Sequence, residues 1–585
     1  MNALYPSNQP RNWEHNRNGL WCQVIADALT DMGVVDVVMH SGARNVSLAL
    51  AMNEMPEFRM HLHVDERSGS FMAVSLAQAT GAPVVVSTTT GSAIANCLPA
   101  LTEATKRNLP VILISGDRNR GTRHINVAQS SNQIGICAPL MRVQHDLPDP
   151  LDSEADLIAL RRTIIDAVNQ CTSGLRPGPI QINMPLWGVA CGTEAEEGWY
   201  PTVNPEAIRA AVPAVRLPPV VASESEIRRA VQRLARREHP RGLIFCGPDT
   251  DVSPEVINLL AERTGFPVIA DAASGIRKKG LANLVTVSDA LPGVAEATAW
   301  FAKTDLLLRF GSAPTTPIMT KLSKSIRCPT LRVTQSDPGP DFWTNDAICL
   351  RTLDMAGAEV LAEQIGHGDP AWLEAWMRTE KRLSARRREV IGELPWGDVL
   401  AAGLACNASG YDFIHIGNSL ATRQSNLLSE GFSAGHREFI ARGMCGTDGA
   451  LGMFLGEALG TQGRGLLLIG DHSTTHDIPA LASHRWRSVK GAIVVINNSG
   501  AGIFDTLACS QVDGYRDIMR NQPTIRFQHI AAAFDIDYRR CACAESFADA
   551  LAEAANSNSV VLIEAVTTPE TTPRDLPVVL HRMAS

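Results

Sequence analysis

The chain of 585 residues has no surplus of positive charge: 53 Lys and Arg face 61 Asp and Glu, for a formal net charge of -8. Binding to nucleic acid or to an anionic membrane surface by electrostatics needs a basic face, so neither is expected as a partner. Nor does any stretch approach the ~18 consecutive apolar residues that span a bilayer. The opening residues, MNALYPSNQPRNW, lack the apolar core of a secretory signal. The 13 cysteines are odd in number and scattered, with only Cys541 and Cys543 close together. That pattern excludes a disulfide framework or a zinc site and points to reduced thiols in the cytoplasm.

What is present is the composition of a folded protein: 45% hydrophobic and 19% charged residues, with 45 Gly and 34 Pro spread along the chain. Single cores stop growing near ~250–300 residues, so three domains are expected. Short apolar runs recur between helix-length segments: VVDVVMH (Val34–His40), VVVST (Val84–Thr88), VILISG (Val111–Gly116) and IQINMP (Ile180–Pro185). A second set comprises GLIFCG (Gly242–Gly247), FPVIAD (Phe266–Asp271), DLLLRFG (Asp305–Gly311) and TLRVT (Thr330–Thr334). A third comprises DFIHIG (Asp412–Gly417), GLLLIGD (Gly465–Asp471), GAIVVINN (Gly491–Asn498) and VVLIEA (Val560–Ala565), entered through the basic helical stretch Trp372–Val390. Runs this short and apolar on both faces predict buried parallel strands with crossover helices. The fold class is therefore α/β, three doubly wound parallel-sheet domains, over residues 1–200, 220–370 and 371–585. Residues 201–219 are the linker, because Thr202–Pro219 is rich in Pro, Val and Ala and poor in helix signals. The first and third domains share a layout.

The most specific chemistry lies in the third domain. GDHS (Gly470–Ser473) and INNSGAGIF (Ile496–Phe504) each begin where an apolar strand ends, the edge at which open α/β sheets bind ligands. A carboxylate (Asp471), an amide oxygen (Asn498) and a backbone carbonyl (Gly500), completed by phosphate oxygens and water, suit Mg²⁺, a small hard cation. Gly500 and Gly502 let backbone approach a phosphate closely. Read singly, Asp471 is a helix cap and the Asn-Asn segment a turn. Together, in this strand context, they define a metal and diphosphate site.

These two segments resemble the diphosphate motif of the thiamine-diphosphate enzymes, which runs from a strand-ending Gly-Asp to an Asn-Asn about thirty residues on. The resemblance implies thiamine diphosphate and Mg²⁺ as cofactors, and names the domains as pyrimidine-binding, central and diphosphate-binding. It implies a partner glutamate in the N-terminal domain, which HVDERSGSF (His63–Phe71) supplies as Glu66. That role requires a carboxyl group hydrogen-bonded to the aminopyrimidine N1′, so that the 4′ nitrogen can take the thiazolium C2 proton; a carboxyl raised by burial suits it. Alone, Glu66 would read as a surface residue in an Asp-Glu-Arg cluster.

Within that superfamily the chain is similar to the 2-succinyl-5-enolpyruvyl-6-hydroxy-3-cyclohexene-1-carboxylate synthases of menaquinone biosynthesis. The segments SGARNVSLAL (Ser41–Leu50), TTTGSAIAN (Thr88–Asn96), SGDRNRG (Ser115–Gly121), NVAQSSNQ (Asn126–Gln133), GNSLATR (Gly417–Arg423) and ARGMCGTDG (Ala441–Gly449) carry the match in order along the chain. It implies cofactor contacts from Gly91, Gly470, Asp471, His472, Ser473, Asn498, Gly500, Ile503 and Phe504 besides Glu66. It places Ser419, Arg423 and Arg442 on the distal carboxylate of the donor, 2-oxoglutarate, where a planar guanidinium binds bidentately. It places Arg44, Arg118 and Gln129 on residues that face the acceptor, isochorismate in that family, and the carbonyl under attack, and it makes Gln129 a catalytic residue beside Glu66. The implied activity is that of a decarboxylating transferase of the carboligase type. A 2-oxo acid loses CO₂ near Ile503 and Phe504, and the acyl-anion equivalent forms a C–C bond with an acceptor. Active sites between subunits of a homodimer or homotetramer are implied as well.

Three positions depart from the pattern. In GSAPTTPIM (Gly311–Met319), Thr316 and Pro317 stand where the family has basic residues that grip the acceptor. Ala43 replaces a serine, and Thr447 a bulky apolar residue that supports the cofactor. Two of the three fall on the acceptor side, which favours a paralogue with the same donor and a different, less anionic acceptor. The alternatives are the menaquinone-pathway synthase itself, with Lys321 or Lys324 replacing the basic loop; a simple decarboxylase or acetohydroxyacid-type synthase, against which the arginine pair argues; and a non-catalytic cofactor-binding subunit.

Overall fold

The computed structural model describes residues 16–123, 125–173, 176–187, 199–201, 203–234, 237–335, 347–433 and 435–585. The opening stretch Met1–Trp13, Cys191 and Thr202 lie outside the described residues.

Three six-stranded sheets, parallel throughout, are laid along the chain. The first contains β1 (Asp36–Met39), β2 (Arg59–Leu62), β3 (Val84–Thr88), β4 (Val111–Arg118), β5 (Gln144–Asp146) and β6 (Ile180–Leu186), in the order β2-β1-β3-β4-β6-β5. The second contains β7 (Gly242–Cys246), β8 (Val268–Ala270), β9 (Leu284–Val285), β10 (Leu306–Phe310), β11 (Thr330–Thr334) and β12 (Ala347–Arg351), in the order β12-β11-β10-β7-β8-β9. The third contains β13 (Phe413–Ile416), β14 (Arg437–Phe439), β15 (Gly465–Gly470), β16 (Gly491–Asn497), β17 (Asp537–Cys541) and β18 (Val560–Val566), in the order β14-β13-β15-β16-β18-β17. Helices fill the crossovers, as a parallel sheet requires. The first and third sheets have the same strand order, so the shared layout read from sequence is a shared topology. The second has the order of dinucleotide-binding sheets.

The chain packs into two compact units. One is built around the residues up to Pro219 and includes Leu451–Gln462 and Asp477–Trp486; the other takes the remainder from Val220. In the first unit Trp21, Ile25, Leu48, Val85, Ile112, Ile164 and Ile182 form one continuous core, each at most 1% exposed. In the second unit the helix Pro370–Gly392 sends Trp372 and Trp376 into a cluster with Trp300 and Phe301, and Trp372 Nε1 donates to the Gly242 carbonyl at 2.9 Å.

The segment Thr202–Pro219, read from sequence as a linker with few helix signals, contains one short helix. Pro205–Ala211 is helical: Asn204 accepts from the Glu206 N–H, Pro205 takes the first helical position where no N–H is needed, and Ile208 and Val212 enter the N-terminal core.

Candidate cofactor and substrate site

Because the third sheet is parallel, every loop that follows a strand emerges at one edge. Arg442 follows β14, Ser419 and Arg423 follow β13, Asp471 follows β15 and Asn498 follows β16, so the sequence-derived positions line up along four adjacent strands. The change of direction in strand order falls between β13 and β15, the place where such sheets open to ligands.

Asp471 begins the short helix Asp471–His476 and is 2% exposed. Its Oδ1 accepts from the His472 N–H and its Oδ2 from the Gly500 N–H, both at 2.7 Å. Burial pushes its carboxyl above the ordinary range in spite of these two donors. A desolvated carboxylate of this kind gains from a cation. Asn498, 6% exposed, donates from Nδ2 to Asp398 Oδ2 at 3.2 Å, which turns its amide oxygen away from that bond and leaves it available to a cation. Asp398 is itself buried, raised above the ordinary carboxylate range by that burial, and held by Thr571 Oγ1 at 2.9 Å. Gly500 has φ +102°, and a Cβ there would lie 2.2 Å from the Arg520 carbonyl, so the turn admits only glycine. Carboxylate, amide oxygen and carbonyl in this arrangement fit Mg²⁺ and a diphosphate. Beside them His472 and Ser473 are half-buried in the helix, Gly470 ends β15, and Ile503 and Phe504 lie half-buried in the 3₁₀ turn Gly502–Thr506.

On the neighbouring strand ends, Ser419 adopts φ +69°, an unfavourable conformation for a residue with a side chain, and its carbonyl accepts from Arg423 Nη1 at 2.9 Å. Arg442 Nη1 donates to Asn418 Oδ1 at 3.4 Å. Burial, and then the like charge of Arg442, lower the pKa of Arg423. Neither of these half-buried guanidinium groups is paired with a carboxylate among the described residues, which leaves both able to meet an anion. Thr447 is exposed in the same loop.

The N-terminal sheet repeats the plan. Glu66 follows β2, Arg44 follows β1, Gly91 follows β3 and Arg118 ends β4, again one edge and adjacent strands. Asp65 caps the helix Glu66–Thr80 by accepting from the Ser68 N–H at 2.9 Å, which puts Glu66 at its first position, half-buried. Asn96 Nδ2 donates to Glu66 Oε2 at 3.3 Å. Burial, and then the charge of Arg118, lower the pKa of Arg44. Arg118 Nη2 donates to the Ala128 carbonyl at 2.6 Å. Gly91 (φ +92°) and Gln129 (φ +60°) meet, the Gln129 Cγ lying 3.6 Å from where a Gly91 Cβ would stand.

The central loop does something the sequence did not reveal. Thr315 donates to Asp271 from both its N–H and its Oγ1 at 2.8 Å, and Thr316 Oγ1 donates to Asp289 Oδ1 at 2.6 Å. Both threonines are buried; Lys321 and Lys324, on the helix Pro317–Ser323 and just after it, are exposed. Asp398, Asn96 and Arg520 were not found from sequence: Asp398 meets Asn498 across 100 positions and no local pattern marks it. Asn96 lay within a matched segment without a role of its own.

The first and third sheets share a topology, and each carries its own strand-edge group of residues, a carboxylate on the first and a set that fits Mg²⁺ and a diphosphate on the third. Comparison with known proteins agrees. Residues 21–136 match the thiamine pyrophosphate enzyme N-terminal TPP binding domain, and residues 430–565 the corresponding C-terminal TPP binding domain. The chain belongs to the thiamine pyrophosphate enzymes. It is similar to 2-succinyl-5-enolpyruvyl-6-hydroxy-3-cyclohexene-1-carboxylate synthases. It is 30% identical to that of Chloroflexus aurantiacus, over 88% of both chains. For that of Natronomonas pharaonis the identity is 29%, over 94% of this chain and 96% of the relative. For that of Geobacillus kaustophilus it is 26%, over 87% of this chain and 88% of the relative. Among the described residues no helix is long and apolar enough to cross a membrane.

Proposed function

We propose that this enzyme decarboxylates 2-oxoglutarate and transfers the resulting four-carbon acyl-anion equivalent to an acceptor, forming a C–C bond. The observation that carries the reading is the pair Arg423 and Arg442, adjacent like charges without a carboxylate partner among the described residues. A dicarboxylic oxo acid supplies the missing anion with its distal carboxylate; pyruvate does not.

Bound thiamine diphosphate supplies the nucleophilic carbon and the electron sink for loss of CO₂. The chain's own groups do the rest. Asp471, the Asn498 amide oxygen and the Gly500 carbonyl hold the cation with the diphosphate. Glu66, steadied by Asn96, holds the proton at the aminopyrimidine N1′. Ile503 and Phe504 give an apolar surface against which a carboxylate is lost more readily than in water. Arg44, Arg118 and Gln129 face the acceptor. On this reading Gly311–Met319 serves no acceptor, since its threonines are committed to Asp271 and Asp289, and the acceptor carries less negative charge than isochorismate. The second reading makes this chain a 2-succinyl-5-enolpyruvyl-6-hydroxy-3-cyclohexene-1-carboxylate synthase, as its relatives are named, with isochorismate as acceptor and Arg44 and Arg118 alone meeting its carboxylates.

Release of CO₂ from a panel of 2-oxo acids tests the donor. A site built on a polar partner rejects an analogue lacking it by about 10⁴–10⁵, so 2-oxoglutarate is expected to exceed pyruvate by that order. Arg423→Ala and Arg442→Ala should raise the KM for 2-oxoglutarate and leave pyruvate turnover nearly unchanged. Preference of the wild type for pyruvate would replace this reading with a simple decarboxylase or acetohydroxyacid-type synthase. Product formation with isochorismate at a rate matching CO₂ release would establish the second reading.

A further inference from the structure

The metal loop is held from behind by one side chain that plays no part in the chemistry described above. Arg520 is 7% exposed, and all five of its N–H donors are engaged. Nη1 donates to the Asn498 carbonyl at 2.7 Å and the Gly500 carbonyl at 3.2 Å. Nε and Nη2 donate to Asp505 Oδ2 at 3.2 and 2.6 Å, and Nη2 also donates to the Pro569 carbonyl at 3.0 Å. The Arg520 carbonyl in turn accepts from the Ala501 N–H at 3.1 Å, so residue 520 grips the loop Asn498–Ala501 by backbone and side chain together.

We infer that Arg520 is a positioning residue for Mg²⁺, fixing the Asn498 amide oxygen and the Gly500 carbonyl in register with Asp471. Three features support a role beyond packing. Its contacts fall on two of the three residues that fit the cation, and on their backbone, where they set geometry without occupying the Asn498 side chain. The bond to the Gly500 carbonyl is among the longest of the five, and a carbonyl oxygen has a second lone pair for a metal. Its charge, which would otherwise repel a nearby dication, is paired with buried Asp505, whose Oδ2 also meets the Arg516 guanidinium at 3.2 Å, and so is partly offset at the site. The planar five-donor fork is what this geometry uses; a lysine ammonium has three donors from one point.

Outer groups that orient metal ligands typically contribute about 10–100-fold to metal affinity. Arg520→Met and Arg520→Lys are compared with wild type in the full-length protein, reading the Mg²⁺ concentration that half-saturates thiamine-diphosphate binding, by calorimetry or tryptophan quenching, and separately the Tm of the metal-free protein. The inference requires the Mg²⁺ midpoint to rise by about 10–100-fold in Arg520→Met and by less in Arg520→Lys, with cofactor binding restored by excess Mg²⁺. Asp505→Asn, which keeps every donor but removes the offsetting charge, should also raise the midpoint. If the variants lower only the Tm and leave the Mg²⁺ midpoint within about twofold of wild type, Arg520 is merely structural and the inference falls. Should Arg520→Met fail to fold, Arg520→Lys and Asp505→Asn decide by the same criterion. The outcome is independent of which 2-oxo acid is the donor.

Discussion

Acidification should loosen the N-terminal unit first around Glu66, because two buried histidines flank the entry to its helix. His40 is 2% and His63 4% exposed, and their rings stand 6.3 Å apart. His40 Nδ1 lies 3.2 Å from the Ser87 carbonyl, and His63 Nδ1 accepts from the Asp65 N–H at 3.1 Å, directly before Glu66. Burial lowers both pKa values from 6.5 to about 4, with the second imidazole adding to the effect at His63. A depressed folded-state value means that the unfolded chain takes up protons that the folded one refuses. The associated stability is therefore complete above pH 6.5 and is lost as the pH falls through about 4. Between pH 8 and pH 5, linkage gives a loss of about 2 kcal/mol for each histidine. About 4 kcal/mol for the pair is a large share of the ~5–15 kcal/mol that holds a domain together. Hydrogen exchange of peptides covering β1 and the helix Glu66–Thr80, at both pH values, reads this locally and avoids assuming that the whole chain unfolds as one. In His40→Asn the pH-dependent part of the loss should fall by about half, whatever the variant's stability at pH 8. A wild type whose protection in these peptides does not change between pH 8 and pH 5, or a His40→Asn protein with the same pH dependence as wild type, would refute the reasoning.

Two further substitutions test the proposed roles in each unit separately. Glu66→Gln keeps an acceptor for Asn96 but cannot exchange the N1′ proton, so turnover should fall by about 10²–10⁴-fold while calorimetric binding of thiamine diphosphate and Mg²⁺ is retained; near-normal turnover removes Glu66 from the chemistry. Asp471→Ala deletes the one carboxylate of the metal set and frees the Gly500 N–H it holds, so Mg²⁺-dependent retention of the cofactor on gel filtration should disappear; unchanged affinity would place the metal elsewhere.

The sequence revealed the strands unevenly, and the division is physical. The runs read as strands correspond to β1, β3, β4 and β6; β7, β8, β10 and β11; and β13, β15, β16 and β18, the four inner strands of each sheet. Inner strands are covered on both faces and must be apolar throughout. The edge strands were not legible: β2 is RMHL, β5 QHD and β17 DYRRC, segments with one paired side and polar residues that read as loop. The site follows the same rule. Residues immediately after inner strands, such as Asp471 and Asn498, could be located because a parallel sheet sends those loops to one edge, whatever the distance along the chain. Asp398 and Arg520 act on Asn498 through contacts made only in the folded state, and nothing in their neighbours' spacing announces them. The loop Gly311–Met319 shows the limit from the other side. Its sequence revealed that basic residues were missing, but not that Thr315 and Thr316 are turned inward onto Asp271 and Asp289, with Asp289 also accepting from Asn426 Nδ2 at 2.9 Å. Restoring an arginine at position 316 would therefore not restore an acceptor grip on its own. It would remove a buried donor from Asp289, and a single substitution cannot convert this loop from scaffold to binding surface without first replacing that hydrogen bond.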